Sequence, residues 1–165
     1  MWGVEMKTVI VYYSHSNNTR VAAEILKNKL NANVIELKES KKGNPLQAIF
    51  KLKSKLIGDP WKEVQDASLI YLMFPIWAGH SVPAINAFVN SEKSDFEGKE
   101  VILVTFQADP SMKSGVVVRE YIGNLVSKRG GKIKASYGMV GGNMNVFIGD
   151  DKLKEQLDRV KWYDL

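Results

Sequence analysis

Apolar and polar positions along this chain follow two rhythms in turn. Apolar-rich runs occur at KTVIVYY (7–13), ANVIELK (32–38), ASLIYLMF (67–74), EVILVTF (100–106) and KIKASYGMV (132–140). Runs with β-branched residues and no polar face predict strands buried on both sides. Between them the spacing turns helical. TRVAAEILKNKL (19–30) places apolar residues at 22, 25, 26 and 30, and VPAINAFVN (82–90) reads as a helix with Ser81 as a cap before it. SGVVVREYIGNLVSKR (114–129) ends at the glycine pair 130–131, and DDKLKEQLDRVKWYDL (150–165) opens on two aspartates. In the long connection from Glu39 to Ala67, Asn44 can cap a helix that has Pro45 at its first position. Leu46, Ile49, Phe50, Leu56 and Ile57 would form its apolar stripe, and Gly58-Asp59-Pro60 would stop it.

Five strands alternating with five helices predict an α/β three-layer sandwich, a parallel sheet with helices on both faces joined by right-handed crossovers. The length, 165 residues, suits a single domain over 1–165, with Met1–Glu5 a short extension or an alternative start.

Ligands of open α/β sheets sit beyond the carboxyl ends of the strands, where strand order reverses. Three loops therefore matter: SHSNNT (14–19), PIWAGHS (75–81) and QADPSMKSG (107–115). The first leads into a helix N-terminus, whose unpaired N–H groups and dipole favour an anion. Ser14, Ser16 and Thr19 add hydroxyls there, and Asn17 and Asn18 add amides. An ordinary cap needs one such residue; five within six positions point to a phosphate held by neutral donors. The loop contains neither GxGxxG nor GxxxxGK[ST], which sets aside a dinucleotide fingerprint and a P-loop. Ser14 and Pro75 stand where a phosphoacceptor domain would need acidic residues. In the second loop, Trp77 follows Pro75 and precedes Ala78-Gly79, a position expected in an exposed loop. An exposed indole is best explained by stacking on a flat ligand, the alternative being a tryptophan folded onto the sheet edge.

Composition narrows the chemistry. The chain has no cysteine, which excludes disulfides, thiolate metal sites and cysteine nucleophiles. Redox chemistry would therefore require a bound organic cofactor. The two histidines, His15 and His80, lie on separate loops without clustered carboxylates, a poor metal site, so no metal is expected. The net charge is +5 and the pI about 9.3. Nine lysines fall between Lys27 and Lys62, against Glu36, Glu39 and Asp59. That region reads as a solvated helix face, or as a patch for an acidic protein, a nucleic acid or a membrane surface. No apolar run is long enough to span a membrane and no signal-peptide core is present, so the expected location is cytoplasmic.

The stretch IVYYSHSNNTRVAAEIL (10–26) resembles the signature of the flavodoxin-like family, an aromatic strand end followed by an S-x-[ST]-G-N-T phosphate loop. Ser14, Ser16, Asn18 and Thr19 match that loop, and Ala23 and Leu26 match the helix behind it. Asn17 departs, standing where the family usually has glycine or alanine; asparagine is the residue that best replaces glycine where φ must be positive. PIWAGHSVPAINAFV (75–89) is similar to the family's second flavin loop, with Trp77 in the stacking place. The resemblance covers essentially the whole chain in element order and implies a strand order 2-1-3-4-5. It further implies non-covalent flavin mononucleotide (FMN) held by Ser14, His15, Ser16, Asn17, Asn18 and Thr19, by Pro75, Ile76, Trp77, Ala78 and Gly79, and by Phe106, Gln107, Ala108 and Asp109. Asp109 reads by itself as a turn or cap residue, and no side chain is assigned as catalytic.

The implied function is electron transfer between redox proteins; the alternative is an FMN-dependent NAD(P)H:quinone or small-acceptor oxidoreductase. Short loops favour the carrier, whereas the basic charge departs from the strongly acidic character usual among flavodoxins and implies acidic partners. The expected state is a monomer or weak dimer, with no nucleic acid partner.

Overall fold

The computed structural model describes residues 6–163; the expected extension Met1–Glu5 lies outside them. The elements run β1 (Thr8–Tyr12), α1 (Asn18–Leu30), β2 (Asn33–Glu36), α2 (Pro45–Ile49), α3 (Pro60–Val64), β3 (Leu69–Trp77), β4 (His80–Ser81), α4 (Pro83–Val89), β5 (Glu100–Gln107), α5 (Lys113–Lys128), β6 (Lys132–Val140) and α6 (Asp150–Asp158). The sheet order is β2-β1-β3-β5-β6, all parallel, with β4 pairing antiparallel to the end of β3. Apart from the two-residue β4, this is the expected five-stranded order 2-1-3-4-5.

Alternation within the central strands builds a core on each face of the sheet. Val9, Val11 and Tyr13, with Ile70, Leu72 and Phe74, face the layer formed by α3, α4 and α5. Ile10 and Tyr12, with Leu69, Tyr71 and Met73, face α1 and α6. On the first face Trp61 stacks on Phe88 at 4.5 Å between ring centroids, and its indole N–H donates to the Phe88 carbonyl at 2.7 Å. On the second face Ala22, Ala23 and Leu26 of α1 lie against the sheet beside Leu153 and Leu157 of α6. Small residues at 22 and 23 let the helix approach the strands closely.

The long crossover departs from expectation. Helix α2 has five residues, although Asn44 and Gln47 form the full capping box. Lys51 then takes φ 55°, and the chain continues extended, with Glu39 bridging antiparallel to Leu56. Ser40 N–H donates to the Lys55 carbonyl at 2.9 Å, and Ile57 N–H to the Lys38 carbonyl at 2.8 Å. The reason is visible in KLKSK (51–55): lysines at every second position have the period of a strand, not of a helix. Pro60 begins α3 where a helix stop was expected, because Asp59 caps it by accepting from Lys62 N–H.

β3 runs three residues past the end of its predicted apolar run, to Trp77, and ends in a hairpin. β1 stops at Tyr12 opposite Met73, so Pro75 lies past the end of that ladder. Trp77 pairs with His80 across Ala78 (φ 49°) and Gly79 (φ 75°), the two positive φ values of a type I′ turn. A left-handed alanine costs about 1 kcal/mol. We expect Ala78→Gly to leave thermal stability equal or raised and Ala78→Val to lower it by roughly 1 kcal/mol or more, because β-branching penalises that conformation further. Denaturant melts of the three proteins check the ranking, and an unaffected valine variant would refute it.

Candidate functional site

Strand order reverses between β1 and β3, since β1 is followed by β2 on one side and β2 by β3 on the other. At the carboxyl ends of these strands lies a cleft of about 340 Å³, within the range of small-molecule sites. Loops after β1, β3, β5 and β6 wall it.

The first loop explains its own composition. Asn17 has φ 70°, the left-handed conformation for which asparagine is the best non-glycine residue. Its carbonyl receives Val21 N–H at 2.9 Å and so starts α1. Ser14 Oγ, at the start of the loop, accepts Arg20 N–H at 3.2 Å, satisfying one donor of the first turn of α1. The N–H groups of Ser16, Asn17, Asn18 and Thr19 find no acceptor among the described residues. No acidic side chain occupies the first turn of α1. The result is a nest of unpaired donors on a helix dipole, with the hydroxyls of Ser16 and Thr19 at the cleft beside it.

Asn18 has a different task from a ligand donor. Its buried amide nitrogen shares its two N–H groups among the Gly141 carbonyl, the Val146 carbonyl at 2.7 Å and Ser16 Oγ at 3.0 Å, and its oxygen accepts Ile148 N–H at 2.9 Å. One side chain thus ties the β1–α1 loop to the β6–α6 loop.

Trp77 is not in an exposed loop; it is 2% exposed. Because Pro75-Ile76-Trp77 continue β3, the indole packs edge-on against Tyr13 at 5.8 Å and against His15 at 5.4 Å. It still borders the cleft, and its buried N–H has no hydrogen-bond partner among the described residues. The Tyr13 phenol donates to Glu39 Oε2 at 3.0 Å; burial first, and then the Glu39 carboxylate, hold its pKa well above the usual phenol value. His15 also meets Asn145 at 2.8 Å, between Nε2 and Oδ1, a second tie between the first and last loops.

The candidate residues separate cleanly. His15, Ser16, Asn18, Thr19, Pro75, Ile76, Trp77, Ala78, Phe106 and Ala108 line the cleft. Ser14 and Asn17 shape the first loop from behind. Gly79 faces a separate small hollow with Lys51, His80 and Tyr121. Gln107 turns to the far side of its strand, where Nε2 meets Met112 Sδ at 2.7 Å. Asp109 accepts from Ser111 Oγ at 2.7 Å and Ser111 N at 2.9 Å, which holds its carboxyl below the usual range in a turn role.

Sequence reasoning missed the wall formed by Gly141, Gly142, Asn143 and Met144, and also Pro45. The signal was present: VGGNMN follows the last strand at the same carboxyl edge. A Cβ on Gly141 would come within 2.8 Å of Phe106 Cβ, so only glycine lets this loop close on the β5 end.

No family model and no curated protein sequence matches this chain. Solved structures do. A candidate flavoprotein from Bacteroides uniformis superposes with TM-score 0.67 at 19% identity, covering 93% of this chain and 98% of that one. The fold is flavodoxin-like. A flavoprotein from Lactobacillus acidophilus, solved in complex with FMN, matches with TM-score 0.62 at 19% identity over 81% of this chain and 93% of its own. Oxidised Flavodoxin 2 from Bacillus cereus matches with TM-score 0.56 at 16% identity over 93% and 94%. The flavodoxin-like order of strands is thus retained at an identity too low for sequence comparison to register.

Asn18→Ala removes the latch and leaves the Ile148 N–H and two carbonyls to find water. We expect a loss of about 2–3 kcal/mol of stability, each abandoned buried group costing about 1–3 kcal/mol if unsolvated. Faster amide exchange at Ile148 would accompany it; exchange unchanged there would refute the latch.

Proposed function

We propose that the cleft binds FMN and that the protein transfers electrons through it. The observation that carries this reading is the junction of two features in one place. An unpaired N–H nest at the start of α1 opens into a cleft whose walls include Ile76, Trp77, Phe106 and Met144. The nest, with the hydroxyls of Ser16 and Thr19, suits a phosphate; the apolar walls suit a flat ring system. The buried indole N–H of Trp77 is a further donor that a ligand acceptor would satisfy, at a present cost of about 1–3 kcal/mol. The FMN complex of the Lactobacillus acidophilus flavoprotein, built on the same fold, supports the choice of ligand.

When bound, FMN supplies the redox chemistry. The chain's own residues hold and orient it. The backbone of Ser16–Thr19 and two hydroxyls grip the anionic end without a lysine, and Ile76, Phe106 and Met144 exclude water from the ring. His15 packs against Trp77 and is tied to Asn145, so it would help position the indole at the wall of the cleft that would hold the ring. His15 is the one titratable side chain among the described residues lining the cleft. A site with no other titratable side chain suits a carrier of electrons better than an enzyme that must protonate a substrate.

Titration of the purified protein with FMN, followed by quenching of flavin fluorescence, tests the binding. A protein that stays colourless and quenches nothing would overturn the proposal. Ser16→Ala combined with Thr19→Val is expected to weaken FMN by about 1–3 kcal/mol, the scale of two hydrogen bonds to a charged group, and to leave riboflavin affinity unchanged. Trp77→Ala is expected to weaken both flavins by about 1 kcal/mol or more. With FMN bound, steady NAD(P)H oxidation by a quinone in the absence of any protein partner would replace the carrier reading with the oxidoreductase one.

A further inference from the structure

We propose that the segment from Ser40 to Ile57 is a docking surface for membranes that carry anionic phospholipid. Five large apolar side chains there point to solvent: Leu46, Ile49, Phe50, Leu52 and Ile57, each between 44% and 67% exposed. Interleaved with them are the exposed Lys41, Lys42, Lys51, Lys53 and Lys55. No aspartate or glutamate occurs between Ser40 and Gly58. None of these lysines forms an ion pair among the described residues, and Lys51 rests on the Tyr121 ring at 4.4 Å. The adjoining face of α5 adds exposed Val116 and Val117, the latter sharing a hollow with Lys51 and His80.

The exposure is built in. The backbone of this segment is anchored by the Asn44–Gln47 capping box and by Ser40 N–H to the Lys55 carbonyl. Asn86 Nδ2 donates to the Leu52 carbonyl at 3.1 Å, and Ser54 N–H to the Pro83 carbonyl at 3.2 Å. The apolar side chains are therefore held outward by a chain that has its own hydrogen bonds in order.

Charge and residue type choose the occupant. A second copy of this chain would set lysines against lysines. Protein interfaces are depleted in lysine and favour arginine and large aromatics; here every cation is lysine and four of the five apolar residues are aliphatic. A nucleic acid would leave the aliphatic side chains unused. At an anionic bilayer both sets are used: apolar side chains enter the headgroup boundary while lysine stems snorkel to the phosphates. No helix among the described residues is long and apolar enough to cross a membrane, so the contact is peripheral. Pro45, at the edge of this surface, lines the cleft, so the bilayer would meet the protein beside the cleft mouth. The docking surface stands whether or not the cleft holds FMN.

Cosedimentation of the full chain with vesicles tests this. Vesicles with roughly a third phosphatidylglycerol are expected to bind it, and pure phosphatidylcholine vesicles at least about tenfold less; half-molar salt should remove most binding. Two variants, Leu46→Ser with Phe50→Ser, and Lys51→Gln with Lys53→Gln and Lys55→Gln, should each lower binding about tenfold or more with unchanged melting temperature. Equal binding to both vesicle types, or variants that bind like the parent, would overturn the proposal. Absence of vesicle binding would also overturn it, and so reassign the surface, where light scattering shows an association lost in Phe50→Ser, or where polyglutamate or duplex DNA is retained instead.

Discussion

The structure depends on burying one parallel sheet from both sides. β1, β3 and β5 send alternate side chains into two separate cores, so each helical layer has an apolar floor to sit on. Parallel strands need long crossovers, and the crossovers force every connecting loop at the carboxyl edge to face the same way. Because β1 is flanked by β2 on one side and β3 on the other, its loop and that of β3 diverge and leave a crevice. The cleft is a consequence of strand order before it is a consequence of any side chain in it.

Within that crevice, polar residues that look alike in the chain divide their labour. Ser14 satisfies one donor of the first turn of α1 and Asn17 supplies the left-handed turn. Asn18 spends its amide on the β6–α6 loop, and the backbone N–H groups of 16–19 remain without acceptors among the described residues, beside the hydroxyls of Ser16 and Thr19. The arrangement uses backbone dipoles in place of lysine, which keeps the cationic character of the molecule out of the cleft. That character collects on the crossover instead, where lysine and exposed apolar residues alternate on an anchored backbone. Neutral cleft and basic flank lie side by side, joined at Pro45.

Much of this was legible in the chain. The apolar runs marked the five long strands, and Asn17 announced a positive φ because few other side chains tolerate it. SHSNNT does form a loop at the carboxyl edge, whereas PIWAGHS, also at that edge, is the end of β3 and its hairpin with β4. What local pattern misjudged depended on partners far away in sequence. Trp77 looked like a loop residue after Pro75, yet β4 pairs with β3 beyond the end of β1 and pulls the indole under His15. The stripe Leu46, Ile49, Phe50 suggested a long packed helix, but α2 stops at Ile49 with these side chains exposed, and pairing between residues 38–40 and 55–57 draws the chain out beyond it.

The sequence by itself determined the alternation of strands and helices, the two-sided burial of the sheet and the composition of the first loop, because each rests on contacts within a few residues or on side-chain period. Only the tertiary structure decided which donors of that loop remain free, that Gly141–Met144 closes the cleft, and that the indole is covered. Those outcomes follow from hydrogen bonds and packing between segments distant in sequence, such as Asn18 with Gly141 and Ile148 or Trp77 with Tyr13 and His15, and no local periodicity encodes them.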